Sequence, residues 1–219
     1  MSPLNRAGFF FGAVMEKKYE VIRNETVFDG YFKMNRYRLR HSSFHGGWCG
    51  EIMRERIEGL AAVAVMLYDP RRDRVVLVEQ FRVGLMGRIE PPWSIEVVSG
   101  FCDTLHETPQ EVARREVIEE TGCTLKALTP IGEFIVSPGM SVERIHLYCG
   151  WVDADGVEGV YGLEHEGEEM RVVVMPRAEA VAELFGRLNT TSVIITLQWL
   201  EANRAGLIAE WGPDAAPGG

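Results

Sequence analysis

Apolar residues follow two different patterns along this chain of 219 residues. Between Tyr19 and Ile57 they form short strand-like runs, such as YFKMNRYRLRH, which turn signals at Asp29-Gly30 and Gly46-Gly47 interrupt. These runs are too few to build a core of their own, so the small sheet must pack against something else. The pattern predicts an N-terminal antiparallel β extension.

Longer apolar runs begin at Leu60. Six of them predict strands: LAAVAVMLY, RVVLVEQFRV, SIEVVSG, IGEFIVS, ERIHLYCGWVD and EEMRVVVM. Helical spacing predicts helices over 177–186 and 189–204, and the second of these carries Val193, Leu197 and Leu200 on one face. The order of elements favours a mixed α/β (α+β) sandwich with the β extension in front of it.

The residues around position 110 carry a complete set of helix signals. Thr108 is an N-cap, Pro109 suits the first helical position, and Glu111 completes a capping box. Gly122 supplies a left-handed stop. We therefore predict a helix that begins at Pro109 and ends just before Gly122.

Three glutamates share one face of this helix. Glu116, Glu119 and Glu120 fall within an arc of about 100°, where like charges repel. An isolated pair of glutamates is typical of a solvated acidic helix. Here, however, Arg115 is spaced to pair with Glu119, and a glycine precedes and another closes the motif. An oxygen-only cluster of this kind suits a hard cation, Mg²⁺ or Mn²⁺.

Composition and charge exclude several classes of protein. The net charge of −9, without a run of Lys or Arg, disfavours nucleic acid as a partner. No apolar run reaches the roughly 20 residues that a membrane helix needs. The four cysteines lack zinc-ligand spacing and favour structural thiols in a reducing cytoplasm. We expect a disordered leader over 1–18, in which Met15 is an alternative start, and a disordered tail over 212–219.

The segment from Gly100 to Cys123 resembles the Nudix box. That motif reads Gly, five residues, Glu, seven residues, then Arg-Glu-apolar-x-Glu-Glu-x-Gly-apolar. The run REVIEETG and the spacing from Glu107 to Arg115 match it, whereas six residues instead of five separate Gly100 from Glu107. The resemblance implies a Nudix mixed-sheet α/β/α sandwich over 58–211.

The β extension, EQFR, SPGMSVER and GLEHEGEEMRV together resemble the bacterial ADP-ribose pyrophosphatase branch of Nudix hydrolases. In that branch the N-terminal sheet, here residues 19–57, is exchanged between two subunits. The resemblance thus implies a domain-swapped homodimer whose active sites are each built from both chains.

The resemblance also assigns residues to roles. The metal ligands are Ser99 through its main-chain carbonyl, Glu116, Glu120 and Glu168, and Glu119 joins them when a further ion binds. Glu166 activates the attacking water. The substrate-binding residues are Tyr31, Phe32, Arg54, Arg82, Phe101, Ser137, Pro138, Gly139 and Glu143. A second arginine of the family's N-terminal unit has no counterpart near Glu58, so base or sugar preference is open.

The activity that this resemblance implies is Mg²⁺-dependent hydrolysis of ADP-ribose to AMP and ribose 5-phosphate. Two alternatives stay open: hydrolysis of another nucleoside diphosphate-linked substrate, such as a nucleotide sugar, and a non-catalytic Nudix-fold sensor. The intact REVIEE run speaks against the sensor, because a pure binding protein needs no multi-carboxylate metal site.

Overall fold

The computed structural model describes residues 16–59, 61–103, 106–163 and 167–212. The chain divides into two compact units. The first comprises Met1–Gly59 with Ser137–Val142, and the second comprises Leu60–Val136 with Glu143–Gly219. The expected leader and tail lie outside the described residues, apart from residues 16–18 and Gly212.

The first unit contains a three-stranded antiparallel sheet. Its strands are β1 (Tyr19–Asp29), β2 (Lys33–His41) and β3 (Ile52–Glu58), in that order. The segment 137–142 adds to it, because the Ile57 amide donates to the Met140 carbonyl at 2.8 Å. Among the residues of the three strands only Asn35 is buried, so the expectation that this sheet has no adequate core of its own is confirmed.

The prediction that a strand covers Tyr31 and Phe32 is wrong. Strand β2 starts at Lys33, and the two aromatic residues lie in the turn after β1. The turn is closed by the Gly30 amide, which donates to the Phe32 carbonyl at 3.2 Å. The turn that begins at Asp29-Gly30 therefore also includes Tyr31 and Phe32, two residues more than the sequence suggests.

The second unit is built on an eight-stranded mixed sheet, which confirms the predicted fold class. Its strands are β4 (Ala61–Asp69), β5 (Arg74–Phe81), β6 (Trp93–Glu96), β7 (Val98–Phe101), β8 (Ala127–Ile135), β9 (Arg144–Trp151), β10 (Val160–Tyr161) and β11 (Met170–Pro176). The order is β10-β11-β5-β4-β9-β8. Strands β4 and β9 are parallel, and the other pairs are antiparallel.

The predicted strand SIEVVSG is two strands. β6 pairs with β5, and β7 pairs with the first half of β4, so the chain changes partner at Val97. This change occurs because β4 meets β5 only at its last three residues and leaves its earlier edge open to β7. Strand β7 then leads through Gly100 into the loop before the glutamate helix.

Helices cover both faces of the large sheet. They are α1 (Pro109–Thr121), α2 (Arg177–Ala182) and α3 (Thr191–Trp211), with a 3₁₀ turn at Val83–Leu85. One core cluster includes residues of α1, and a second, separate cluster includes residues of α2 and α3. The predicted ends of two helices are wrong: α2 stops four residues early and α3 runs seven residues beyond Arg204.

The cysteines and the helices were compared with the expectations from composition. All four cysteines are free thiols. Among the helices of the described residues, none combines the length and the apolar character that crossing a membrane requires.

A charged cluster around Asp73 ties the β4–β5 turn to α2 and α3. The Asp73 carboxylate accepts hydrogen bonds from Arg177 at 2.7 and 2.9 Å, from Arg204 at 3.0 Å and from the Tyr68 hydroxyl at 2.7 Å. The Arg177 guanidinium is the main reason why the pKa of Asp73 falls to about 2. Asp73 also has a left-handed backbone, with φ of 51°.

Replacing Asp73 by Asn is expected to lower Tm at pH 7 and to flatten its acid dependence. A depressed carboxyl pKa adds stability above the unfolded value of about 4, and this stability is lost as pH falls towards 2. Since the side chain is 38% exposed, we expect a loss of only about 2–5 °C at pH 7. Thermal melts at pH 7, 4 and 2.5 would measure it, with the exposed Asp155→Asn as control. Equal acid sensitivity of Asp73→Asn and the unaltered protein would contradict this account.

Candidate active site

The N-terminus of α1 is fixed by the capping box that the sequence predicts. The Glu111 amide donates to the Thr108 hydroxyl oxygen at 3.3 Å, and the Thr108 amide donates to the Glu111 carboxylate at 2.7 Å. Gly122 ends the helix with φ of 67°. The caps fix the ends of α1, and its buried apolar residues Val112, Ala113 and Val117 set its rotation, which also places Glu116 and Glu120 on the buried face.

Glu116 and Glu120 are buried carboxylates. Their residues are 9% and 2% exposed. Glu120 accepts one backbone hydrogen bond, from the Ser99 amide at 3.3 Å. Burial, reinforced by repulsion from Glu116, raises the pKa of Glu120 well above its ordinary value. Burial likewise raises the pKa of Glu116 to about 7, against the opposing effect of Arg115.

Arg115 organises the acidic side chains around this pair. Its guanidinium lies 2.9 Å from Glu119, as the spacing predicts, and also 2.9 Å from Glu116. It lies 3.4 Å from Glu107 as well. The extra residue in the loop before Glu107 therefore leaves the pairing of Glu107 with the helix intact.

This donor set fits a divalent cation. No group of three or more His, Cys, Asp or Glu side chains within the described ranges is already arranged as a metal site. The carboxylates nevertheless repel one another in a buried place, so a cation between them would relieve the cost of their ionisation. Glu116 and Glu120 would hold it, through oxygen atoms alone, as Mg²⁺ and Mn²⁺ prefer.

Gly100 leaves the space that Glu116 occupies. A Cβ atom at Gly100 would lie 2.0 Å from a carboxylate oxygen of Glu116 and 2.1 Å from its Cδ. The glycine at the start of the Nudix-like motif is thus required by the close approach of strand β7 to the helix, at a backbone φ that is not left-handed.

Replacing Gly100 by Ala is expected to push Glu116 out of place and to lower kcat by about 10–100-fold. The fold should persist, because the side chain that must move has a free end. Steady-state kinetics with saturating Mg²⁺ would measure the loss. Gly206→Ala in α3 is the control, since its added Cβ would meet no atom within 4 Å. Unchanged kcat in Gly100→Ala would contradict the role given to Glu116.

Arg82 brings a positive charge to the carboxylates. It follows β5, and its guanidinium forms an ion pair with Glu96 at 2.7 Å. Burial opposes the charge of Arg82, but Glu96 and, more weakly, Glu120 and Glu168 raise its pKa. Glu168 in turn raises the pKa values of Glu116 and Glu120. Among the described residues, the charges of Glu116, Glu120, Glu168 and Arg82 are therefore coupled in one site, and the Ser99 amide donates to Glu120.

Glu166, the residue assigned to activate water, lies outside the described residues. The described residues on either side of it contact each other. The Glu168 amide donates to the Leu163 carbonyl at 3.2 Å, and a Cβ at Gly162 would lie 2.7 Å from the Glu168 carbonyl oxygen. Gly162 and Gly167 both have positive φ, at 114° and 71°. Both positions therefore have a backbone conformation that favours glycine.

Three of the assigned substrate-binding residues, Tyr31, Phe32 and Arg54, are exposed on the first unit. Tyr31 is 83% exposed and Phe32 is 48% exposed. Their rings form an edge-to-face pair with centroids 4.9 Å apart. Arg54 lies on β3, is exposed and donates to the Met53 carbonyl at 2.7 Å. Because these two rings and this guanidinium are exposed to solvent, a ligand can reach them.

The other assigned substrate contacts fall into both units. Ser137, Pro138 and Gly139 belong to the first unit, where the Ser137 carbonyl accepts the amides of Met140 and Ser141 at 3.0 and 2.9 Å. In the second unit, Phe101 ends β7 and is half-buried. Glu143, also in the second unit, is half-buried and precedes β9.

Sequence reasoning missed Glu96 and its neighbour Ser94. Glu96 is the one acidic residue in the apolar run SIEVVSG, and a carboxylate in an otherwise buried strand is a signal that could have found it. The partner of Glu96 could not be predicted from the sequence, because Arg82 lies 14 residues earlier in the chain.

Comparison with known proteins identifies the family of this chain. Residues 59–197 match the NUDIX domain family. The chain is 39% identical over 195 residues to the ADP-ribose pyrophosphatase of Escherichia coli K12, covering 88% of this chain and 92% of that protein. It is 38% identical to the ADP-ribose pyrophosphatase of Haemophilus influenzae, over 90% of this chain and 92% of the relative.

Two more distant similarities mark the breadth of the family. The GDP-mannose pyrophosphatase of Yersinia enterocolitica is 30% identical, over 85% of this chain and 97% of that protein. A crystal structure of an ADP compounds hydrolase superposes with a TM-score of 0.64 at 19% identity, covering 85% of this chain and 96% of that chain, and so supports the fold. This chain belongs to the Nudix hydrolase family and, within it, to the ADP-ribose pyrophosphatase branch.

Proposed function

We propose that this protein hydrolyses the diphosphate bond of ADP-ribose to AMP and ribose 5-phosphate in a Mg²⁺-dependent reaction. Nudix ADP-ribose pyrophosphatases as a class depend on divalent metal. The observation that carries the proposal is the buried pair Glu116 and Glu120 beside Arg82. It occurs in a chain that is 39% identical to an ADP-ribose pyrophosphatase over most of both lengths.

The chemistry follows from the charges of substrate and site. A diphosphate diester carries two negative charges that repel a nucleophile, and bound Mg²⁺ would neutralise them and lower the pKa of a bound water. Arg82 contributes a second positive charge for the phosphate oxygens. Glu166 accepts the proton of the attacking water as general base. A new P–O bond forms to the water oxygen, the bridging P–O bond breaks, and the bridging oxygen leaves with the other phosphate.

The remaining assigned residues bind the two ends of the substrate. Tyr31 and Phe32 stack against adenine, since their exposed rings match a flat apolar base. Glu143 accepts hydrogen bonds from the hydroxyl groups of the terminal ribose. The residues of the first unit reach the active site of a second subunit, which makes the enzyme an obligate homodimer.

Mixing two inactive variants is expected to restore activity if the site is shared. Glu120→Gln chains refolded with Phe32→Ala chains form heterodimers in which one of the two sites has an intact Phe32 and an intact Glu120. Random mixing should then recover about a quarter of the wild-type activity, because half the dimers carry one good site of two. Turnover of ADP-ribose after co-refolding would measure this recovery.

Each variant refolded alone is the control. If each chain built its own site, every site in the mixture would keep one lesion and no activity would return. A monomer in analytical ultracentrifugation at working concentration would refute the shared site directly.

A second candidate substrate class is a nucleotide sugar, which the 30% identity to a GDP-mannose pyrophosphatase supports. Values of kcat/KM for ADP-ribose and GDP-mannose, measured under the same Mg²⁺ concentration, test the choice. We expect ADP-ribose to be preferred at least about 10-fold, the scale on which pocket contacts discriminate between substrates. A preference for GDP-mannose would overturn the assignment of ADP-ribose.

A further inference from the structure

Glu96 holds the guanidinium of Arg82 through two of its nitrogen atoms. Arg82 Nε lies 3.1 and 3.2 Å from the two carboxylate oxygens of Glu96, and Nη2 lies 2.7 Å from Oε2. Ser94 donates its hydroxyl hydrogen to Glu96 Oε1. The Glu96 side chain is 13% exposed and Ser94 is buried, whereas the Arg82 side chain is 43% exposed. The acceptor side of this arrangement is therefore sheltered from solvent, and the guanidinium remains accessible.

The backbone fixes the donor and the acceptors relative to one another. In the β5–β6 pair, Val78 lies opposite Glu96 and Gln80 lies opposite Ser94. The Arg82 amide donates to the Pro92 carbonyl at 2.9 Å, which extends this pairing past the end of β5. Ser94 and Glu96 are two residues apart on one strand and therefore share a face.

Arg82 has competing partners in the same site. Glu120 and Glu168 lie close enough to act on its charge. A guanidinium on a flexible side chain would pair with these carboxylates and oppose the entry of a cation. The hydrogen bonds of Arg82 to described residues use Nε and Nη2.

We propose that Glu96, supported by Ser94, is a positioning residue that holds Arg82 towards the diphosphate and keeps it off the metal-binding carboxylates. The inference rests on the proposed function for its substrate, since it takes Arg82 as a phosphate contact. It goes beyond that function in assigning a role to Glu96 and Ser94.

A double-mutant cycle on kcat/KM tests whether Glu96 acts through Arg82. Glu96→Gln is expected to lower kcat/KM about 10–100-fold, and Ser94→Ala less, since each loosens a charge-assisted hydrogen bond. In the Arg82→Ala background, Glu96→Gln should cause no further loss. Additive losses would overturn the proposal. The matched control is Glu79→Gln, which removes a carboxylate of the neighbouring strand β5 that also pairs with an arginine, Arg171; it should leave kcat/KM unchanged.

A Mg²⁺ titration by calorimetry, without substrate, separates this proposal from the proposed function. Glu96→Gln should weaken Mg²⁺ binding about 3–10-fold, because the released Arg82 competes for the carboxylates, and removing Arg82 as well should restore it. If the double variant Glu96→Gln, Arg82→Ala does not regain Mg²⁺ binding, the positioning role is overturned even if ADP-ribose is the substrate. If GDP-mannose is the better substrate, the proposed function falls and the cycle is evaluated with GDP-mannose.

Discussion

Glu120→Gln is expected to abolish Mg²⁺-dependent turnover, with kcat lowered by at least about 10²–10³-fold, while the protein stays folded. Glu120 is the most buried acidic side chain of the site and accepts only the Ser99 amide at 3.3 Å from the described residues. Removing its charge leaves Glu116 without the second buried carboxylate that a divalent cation requires. Steady-state kinetics over a range of Mg²⁺ concentrations measures the effect.

Stability distinguishes this loss from unfolding. Burial raises the pKa of Glu120, so the folded state favours its protonated form. For a carboxyl whose folded pKa exceeds its unfolded value, stability falls as pH rises from the unfolded pKa of about 4.5 towards the folded one. Gln removes this penalty, and the metal-free Tm of Glu120→Gln at pH 8 should therefore equal or exceed that of the unaltered protein.

The exposed Glu158→Gln serves as control for both measurements and should change neither. Near-normal kcat of Glu120→Gln in saturating Mg²⁺ would contradict the metal-binding role. A large drop in its metal-free Tm would instead show that the carboxylate stabilises the fold.

Glu166→Gln is expected to lower kcat by about 10²–10⁴-fold and to change KM little, as for a group that acts mainly in the transition state. Of the described residues that flank it, Glu168 donates its amide hydrogen to the Leu163 carbonyl, and Gly162 and Gly167 have positive φ.

Glu169→Gln, in the same loop, is the control and should retain kcat. If Glu166→Gln raises KM and leaves kcat level, then Glu166 is a binding residue. Glu168 and Glu169 would then become the candidates for the base.

Local signals predicted α1 almost completely. The Thr108–Glu111 capping box and the stop at Gly122 depend on residues within one turn of each helix end, and the structure contains both. The end of α3 was not predictable in this way. Its last two turns carry Trp211, whose ring stacks on Trp151 with centroids 5.8 Å apart and whose Nε1 donates to Thr129 at 3.0 Å. These contacts join segments far apart in sequence, so no local pattern reports them.

The site was predictable where its residues share one helix and less so where strands meet. The positions of Glu116 and Glu120 follow from helical periodicity alone. The contact of Glu96 with Arg82 depends on the pairing of β5 with β6, and the clearance at Gly100 depends on the approach of β7 to α1. Aromatic residues favour strands, so the sequence predicts a strand over Tyr31 and Phe32. In the structure both residues lie in the turn after Asp29.

The most direct measurement is the release of AMP and ribose 5-phosphate from ADP-ribose, followed by chromatography with Mg²⁺ and after its removal by EDTA. We expect stoichiometric formation of both products with Mg²⁺, loss of turnover in EDTA and recovery when excess Mg²⁺ is added back. Glu120→Gln should show no such recovery. Turnover that persists in EDTA, or no turnover of ADP-ribose at any Mg²⁺ concentration, would contradict the account.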